Sequence, residues 1–293
     1  MAILLEGKKI AEVLNNSMKD EIQILRERHS RTPLLVSVQI GEHAASKVYM
    51  RAQGRVAEDL GIDYRLLSLP HDISRKDLIM EIGKLNKDLG VHAIMIHAPL
   101  PKGLDIDEVI SWVSPKKDAE GVHPQNLGKI MLGRELVAPC TPEACMELLR
   151  HHNIKLHGKE AVVIGHSKIV GKPLSLMLLN QFATTTVCHI ATSEAGNLAS
   201  HVARADILIV AVGKPNLIKG SWIKEGAVVI DVGINRVGQQ IVGDVEFAQA
   251  QKRASYITPV PGGVGPLTVT MLMRNCMELF KRSFENNDIQ GKA

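Results

Sequence analysis

Aromatic side chains are scarce: two Trp, three Tyr and four Phe among 293 residues. Any core must therefore be aliphatic, built from Ile, Leu, Val and Met. No run of 18 or more uninterrupted apolar residues occurs, so no membrane-spanning helix is expected. The four cysteines, Cys140, Cys145, Cys188 and Cys276, contain no CxxC pair and read as reduced packing residues. The opening Met-Ala-Ile-Leu-Leu-Glu-Gly-Lys-Lys has too short an apolar run for a signal peptide, which with the thiols points to the cytoplasm. Charge is nearly balanced, with 35 basic against 31 acidic residues, and too evenly spread to suggest nucleic acid as a partner. No histidine pair has metal-ligand spacing with a cysteine partner, so no metal is expected.

What is present is a soluble composition, 45% hydrophobic and 23% charged, on a chain long enough for two ordinary domains. Short β-branched runs alternate with amphipathic segments, the pattern of βα units and parallel sheets. Strands are expected at Leu35–Ile40, Tyr64–Leu69 and Ala93–His97, with helices over Gly7–Arg28, Ser46–Leu60 and Ser74–Leu89. Thr141-Pro142-Glu143 reads as a capped helix start, the helix running to about His152. A second series follows at Ala161–Ile164, Thr185–His189, Asp206–Val212 and Ala227–Val232, each apolar enough to be covered on both faces. A last helix is expected from about Leu267 to Phe284, after the loop Pro261 to Pro266. The fold class is α/β. Residues 1–142 with 267–293 form one domain and 143–266 a Rossmann-like one, joined by the Thr141 helix and the last helix, with a cleft between.

Strand Ala161–Ile164 runs straight into Gly165-His166-Ser167-Lys168-Ile169-Val170-Gly171-Lys172-Pro173 and then an apolar helix. Free N–H groups and the helix dipole make such a turn an anion site. The spacing is not GxGxxG, so alone it reads equally well as an ordinary βα turn. Small residues after two further strands, Gly213 and Gly233, add weight, because a dinucleotide needs close backbone approach at that sheet edge. Ile169 replaces the last glycine of G-x-S-x-G, which disfavours a serine hydrolase. The second strand ends Cys188-His189-Ile190-Ala191-Thr192, with neither the acid of an NAD site nor the Arg of an NADP site.

The chain resembles the methylenetetrahydrofolate dehydrogenase / methenyltetrahydrofolate cyclohydrolase family along essentially its whole length. The resemblance rests on Ile257-Thr258-Pro259-Val260-Pro261-Gly262-Gly263-Val264-Gly265-Pro266, Asp231-Val232-Gly233-Ile234-Asn235 and Gly243-Asp244-Val245. Pro99-Leu100-Pro101 and Asn126-Leu127-Gly128 support it. It implies a homodimer, a reduced-folate substrate, and NAD or NADP, with NADP narrowly favoured on family grounds. It also implies two reactions: hydride loss from a folate-bound methylene carbon, then hydrolysis of the methenyl cation. Substrate binding would fall to Ser46, Tyr49, Pro99, Pro261, Gly262 and Gly263. Coenzyme binding would fall to Gly165, His166, Ser167, Lys168, Ile169, His189, Ile190, Gly213, Ile234 and Thr268.

The catalytic positions depart from the family pattern. In S-x-x-Y-x-x-x-K the chain has Ser46 and Tyr49, but Gln53 where the lysine belongs. In Q-x-P-L-P it has His97, and in K-D-x-D-G it has Glu120. The Arg that follows the first glycine of the coenzyme loop is His166. Gln53, His97 and Glu120 are the catalytic candidates, with Glu120 expected to orient His97 and raise its pKa. The expected function is an NAD(P)-dependent methylenetetrahydrofolate dehydrogenase whose hydrolytic step is lost or altered. The alternatives are a non-catalytic folate or nucleotide binder, or an enzyme of this fold acting on another reduced pterin or imine.

Overall fold

The computed structural model describes residues 1–41 and 44–290, and side chains of 1–41 and 49–285. The Ser46 side chain lies outside the described residues. Strands are β1 (Ile3–Leu4), β2 (Leu34–Ile40), β3 (Asp63–Leu69), β4 (Ala93–Ile96), β5 (Glu160–Ile164), β6 (Thr184–Cys188), β7 (Ile207–Val210), β8 (Val228–Asp231), β9 (Asn235–Val237), β10 (Gln240–Val242) and β11 (Tyr256–Ile257). The chain forms two compact units, Met1–Glu12 with Pro139–Thr268, and Val13–Ala138 with Val269–Ala293.

This division corrects the one read from sequence. The first residues go with the nucleotide half, because β1 pairs in parallel with β11, Ile3 against Tyr256. Helices Gly7–His29 and Val264–Gln290 both run through a unit boundary, whereas helix Cys140–His151 lies wholly in one unit. Thr141 is not its cap: the helix begins at Cys140, Pro139 precedes it without a side-chain bond, and Pro139 O accepts from Glu143 N at 3.0 Å. Pro142 still falls in the first turn, where its missing N–H costs nothing. The final helix likewise starts at Val264, which places Pro266 in its first turn rather than in a loop.

In the unit built from Val13–Ala138 and Val269–Ala293, three parallel strands lie in the order β3-β2-β4. Strand alternation divides β2 cleanly. Val36, Val38 and Ile40 enter an aliphatic core with Leu78, Ile82, Ile94 and Ile96. The opposite face carries Leu35, Ser37 and Gln39, and register sets Tyr64, Leu66 and Ser68 of β3 and Ala93 and Met95 of β4 on that same face. Helix Ala44–Leu60 covers it with Met50, Gln53, Ala57 and Leu60, all buried at three- and four-residue steps. Gln53 is thus a polar residue inside an otherwise apolar stripe. Residues 117–119 run beside β4, with Ile94 N donating to Lys117 O and Ala119 N donating to Ile94 O.

The other unit holds a parallel sheet in the order β1-β11-β8-β7-β5-β6. Its central strands are buried along their length and apolar up to Asp231 at the end of β8, as expected of strands covered on both faces. The chain leaves β5 for β6 on one side and returns to β7 on the other, so the order reverses at β5. A short antiparallel pair, β9 with β10, had no counterpart in the sequence reading.

Candidate functional site

In the first of these units Gln53 and His97 meet one face of the small sheet, while Glu120 follows the segment that runs beside β4. Gln53 is fully buried; its Nε2 lies 3.3 Å from the Met95 thioether and its Oε1 accepts from the Tyr64 hydroxyl at 3.2 Å. His97 follows β4 and is buried, with Nε2 at 2.5 Å from the Ser37 hydroxyl. The Tyr49 ring stands edge-on to His97, centroids 6.4 Å apart, and remains partly exposed. A flat ligand could stack on a partly exposed ring of this kind. Pro99 is exposed just beyond.

Burial controls the charges here. It pushes His97 down to about 4, so the imidazole is neutral at physiological pH. Burial also pushes Glu120 up to about 8, helped by the Asp118 carboxylate and opposed by a backbone bond from Ile96. The expectation that Glu120 would raise the His97 pKa is therefore overturned: desolvation dominates, and the partner of the imidazole is a hydroxyl. At neutral pH none of Gln53, His97 and Glu120 is charged.

Asp118, in the Lys117-Asp118-Ala119-Glu120-Gly121 string, has a structural task that sequence reasoning missed. It accepts from Gly121 N at 3.1 Å, His123 N at 2.8 Å and Asn126 Nδ2 at 2.9 Å, fixing the loop that presents Glu120. Lys117 does not pair with it; its ammonium bonds Leu85 O and Asp88 O.

Glu120 also gives a stability test. Its folded pKa lies above the unfolded value, so it stabilises fully below about 4.5 and that contribution is lost as pH rises through about 8. The wild type should lose about 3 kcal/mol between pH 5 and pH 9 relative to Glu120→Gln, after discounting for the part of the residue that meets solvent. Denaturant midpoints of the two proteins across that range test this; parallel curves would count against it.

In the other unit, the coenzyme candidates gather at the carboxyl ends of the strands. Gly165 directly follows β5 with φ +120, and a Cβ there would sit 2.3 Å from Ala211 O. A Cβ on Gly171 would meet Gly165 O at 2.0 Å, so the turn and the helix Gly171–Asn180 approach as only glycines allow. Ser167 Oγ accepts from Val170 N at 3.2 Å, closing the turn while His166, Ser167, Lys168 and Ile169 stay exposed. His189 and Ile190 follow β6, and the His166 and His189 rings lie 5.3 Å apart. Gly213 follows β7 with positive φ, and Ile234 follows β8 and is exposed. Glycines that allow close backbone approach where the strand order reverses, with exposed Ile169, Ile190 and Ile234 following β5, β6 and β8, suit a dinucleotide. Thr268 sits in the final helix, its hydroxyl turned to Val264 O at 3.4 Å. Gly262, with φ +108, follows Pro261 in the turn before that helix, and Gly263 N bonds Pro259 O.

Two buried aspartates organise this rim. Asp244 accepts from Val212 N, Gly213 N, Lys214 N and Asn235 Nδ2 at 2.7–2.9 Å. Asp231 accepts from Gly233 N, Asp244 N and Val245 N at 2.8–3.0 Å, while burial pushes its carboxyl up to about 6. A Cβ on Gly243 would reach Asp231 Oδ2 at 1.9 Å, and one on Gly233 would reach Asp244 Cγ at 2.2 Å. The motifs Asp231-Val232-Gly233 and Gly243-Asp244-Val245 are thus reciprocal, each glycine making room for the other motif's carboxylate.

Comparison with known proteins agrees with both halves. Residues 5–120 match the tetrahydrofolate dehydrogenase/cyclohydrolase catalytic domain, and residues 139–284 the NAD(P)-binding domain of the same family. The bifunctional protein FolD 2 of Geobacter metallireducens is 47% identical over 288 residues, 98% of this chain and 100% of that protein. The bifunctional methylenetetrahydrofolate dehydrogenase/cyclohydrolase of Campylobacter jejuni superposes with a TM-score of 0.93 at 40% identity, covering 96% of this chain and 99% of that one. The Trypanosoma brucei enzyme, solved with NADP and an inhibitor, gives 0.92 at 38% identity, covering 97% and 98%. The carboxyl-terminal half is an NAD(P)-binding domain, and the chain belongs to the tetrahydrofolate dehydrogenase/cyclohydrolase family.

Proposed function

We propose that this protein oxidises a folate-bound methylene group to the methenyl level using NAD(P), and that its hydrolytic step is lost or slow. The observation that carries the reading is Gln53, a neutral amide fully buried at the position where the resembling family has its lysine. NAD(P), when bound, supplies the hydride acceptor. Hydride transfer needs orientation and close approach, with no obligatory proton transfer. Tyr49 offers a stacking face, and Pro99, Pro261, Gly262 and Gly263 are the remaining substrate-side candidates. Hydrolysis is different: water adds to the methenyl carbon, a proton leaves, and a ring C–N bond opens. That calls for a base or a polarising ammonium. Glutamine titrates nowhere in the accessible range, and an imidazole held down to about 4 is a weak base. Purified protein with methylenetetrahydrofolate, assayed separately with NAD and NADP beside a methenyl hydrolysis assay, tests both halves. Absence of turnover with either coenzyme would reject the dehydrogenase reading.

NADP is retained as the narrow favourite. His166 stands where the family pattern has an arginine, and a guanidinium grips a 2′-phosphate through a two-pronged, charge-assisted fork whose geometry an imidazole lacks. His166→Arg should therefore raise kcat/KM for NADP relative to NAD by about tenfold or more, on the order of 1.5 kcal/mol for such a bond. Steady-state kinetics that showed no shift would remove His166 from the coenzyme site. A cytoplasmic homodimer completes the proposal, with β6 at the edge of its sheet as the pairing element. Sedimentation at micromolar concentration should then give twice the chain mass, and a pure monomer would argue against it.

A further inference from the structure

Gln39, on the face of β2 that helix Ala44–Leu60 covers, carries a donor without a partner. The residue is 4% exposed, and its Nε2 meets no acceptor among the described residues. A buried amide in that state is destabilising, and native structures rarely keep one without a use for it. Gln39 lines a cavity of about 800 Å³ that lies wholly within the unit carrying Gln53. That is the size of a small-molecule site, roughly 300–1,000 Å³.

The lining has a distinct chemistry. Register sets Gln39 beside Ser68, with Leu66 on the same face of the sheet. The helix contributes Met50, Arg51 and Gly54. A Cβ on Gly54 would meet only the Tyr64 ring, at 3.4 Å, so the glycine leaves open space beside it. Glycine inside a helix is unfavourable, and that space is what it provides. No carboxylate lines the cavity, and among the described residues no ion pair neutralises Arg51.

We propose that this cavity is a ligand site that takes an aryl carboxylate. The Arg51 guanidinium holds the carboxylate in a two-pronged fork, with the Ser68 hydroxyl and the Gln39 amide as further donors. The Gln39 NH₂ is covered in the structure, but its terminal torsion is broad, so the amide turns toward a bound acceptor at little cost. Met50, Leu66 and the Tyr64 ring receive the aromatic body. A cation would be repelled by Arg51, and a wholly apolar ligand would leave the Gln39 donor unmet. Two sources share this chemistry, a free aryl acid and the aminobenzoyl-glutamate end of a folate. The second rests on the proposed function; the first does not.

Benzoate is titrated calorimetrically into the whole protein without coenzyme, for wild type, Arg51→Gln, Gln39→Leu and Gly54→Leu. The wild type should bind it saturably, one per chain. Arg51→Gln should weaken binding about tenfold or more, the loss of a charge-assisted bond. Gly54→Leu fills the space beside the helix and should abolish binding. Gln39→Leu should weaken it several-fold while its denaturation midpoint stays at or above the wild-type value, because an unpaired donor has been removed. Displacement of benzoate by tetrahydrofolate but not by a methyltetrahydropterin assigns the site to the folate end, and displacement by neither assigns it to a free acid. Displacement by the methyltetrahydropterin would mean that the cavity takes a pterin ring, which overturns the proposal. Absence of saturable binding in the wild type, or unchanged affinity in Arg51→Gln, would overturn it too. A lowered midpoint in Gln39→Leu would give that amide a structural task and remove it from the site. Failure of dehydrogenase turnover bears on the proposed function alone and leaves the benzoate result standing.

Discussion

Changing Gln53→Lys, His97→Gln and Glu120→Asp together should raise methenyl-folate hydrolysis by two orders of magnitude or more, whereas Gln53→Lys alone should change it little. General acid–base catalysis is worth on the order of 10²–10⁴-fold, which sets the scale. The single change places an ammonium in a fully buried position against a thioether and a phenol. Its surroundings offer no compensation: His97 is neutral, and Glu120 stays protonated until about pH 8. An unpaired buried charge costs several kcal/mol, so such a lysine loses its proton or destabilises the unit. An amide at 97 supplies an acceptor oxygen, and a shorter carboxyl at 120 changes both reach and burial. Hydrolysis is followed by loss of methenyl absorbance under single-substrate conditions. If the unmodified protein hydrolyses the methenyl compound as fast as it forms it, and His97→Ala leaves that rate unchanged, the proposed loss of hydrolysis is wrong.

The second large effect is structural. Asp244→Asn should destabilise the nucleotide-binding unit by about 4 kcal/mol and abolish coenzyme binding with it. Each carboxylate oxygen of Asp244 accepts two hydrogen bonds, Oδ2 from Val212 N and Gly213 N, Oδ1 from Lys214 N and Asn235 Nδ2. Whichever way an asparagine turns, its NH₂ faces two donors. Hydrogen bonds to a charged group contribute about 1.5–3 kcal/mol each, and stranded buried donors add their desolvation cost. Against a total stability of roughly 5–15 kcal/mol this is a large fraction. Differential scanning calorimetry with and without coenzyme reads it; a shift of only a degree or two would show that water replaces the carboxylate.

Much of this was legible beforehand, for reasons that particular residues make plain. The runs at β5, β7 and β8 are apolar because both faces are covered, and that pattern survives without any knowledge of partners. The paired glycines and aspartates after β7 and β8 stood out as strings, although their reciprocity needed coordinates. Two-residue strands such as β1 carry no periodicity, so the placement of Met1–Glu12 could not be read. Ser37 and His97 were invisible as a pair because their meeting depends on strand pairing, 60 positions apart in the chain. The His97 pKa is not legible in the sequence because its one cause, burial of the imidazole, comes from the fold.

Each unit is assembled from two stretches of chain, and the order of synthesis follows from that. Strand β1 is made first, yet its partner β11 is 253 positions later by the Ile3–Tyr256 pairing. Asn275 donates to Ala119 O and Ala138 O, across 156 and 137 positions, so the unit carrying Gln53 and His97 also waits for the final helix. Neither unit can close before its late partner has been made, Tyr256 for one and Asn275 for the other. A nascent chain ending anywhere before Val269 exposes aliphatic surface that has no local partner, which slows folding and favours engagement by holding chaperones during translation.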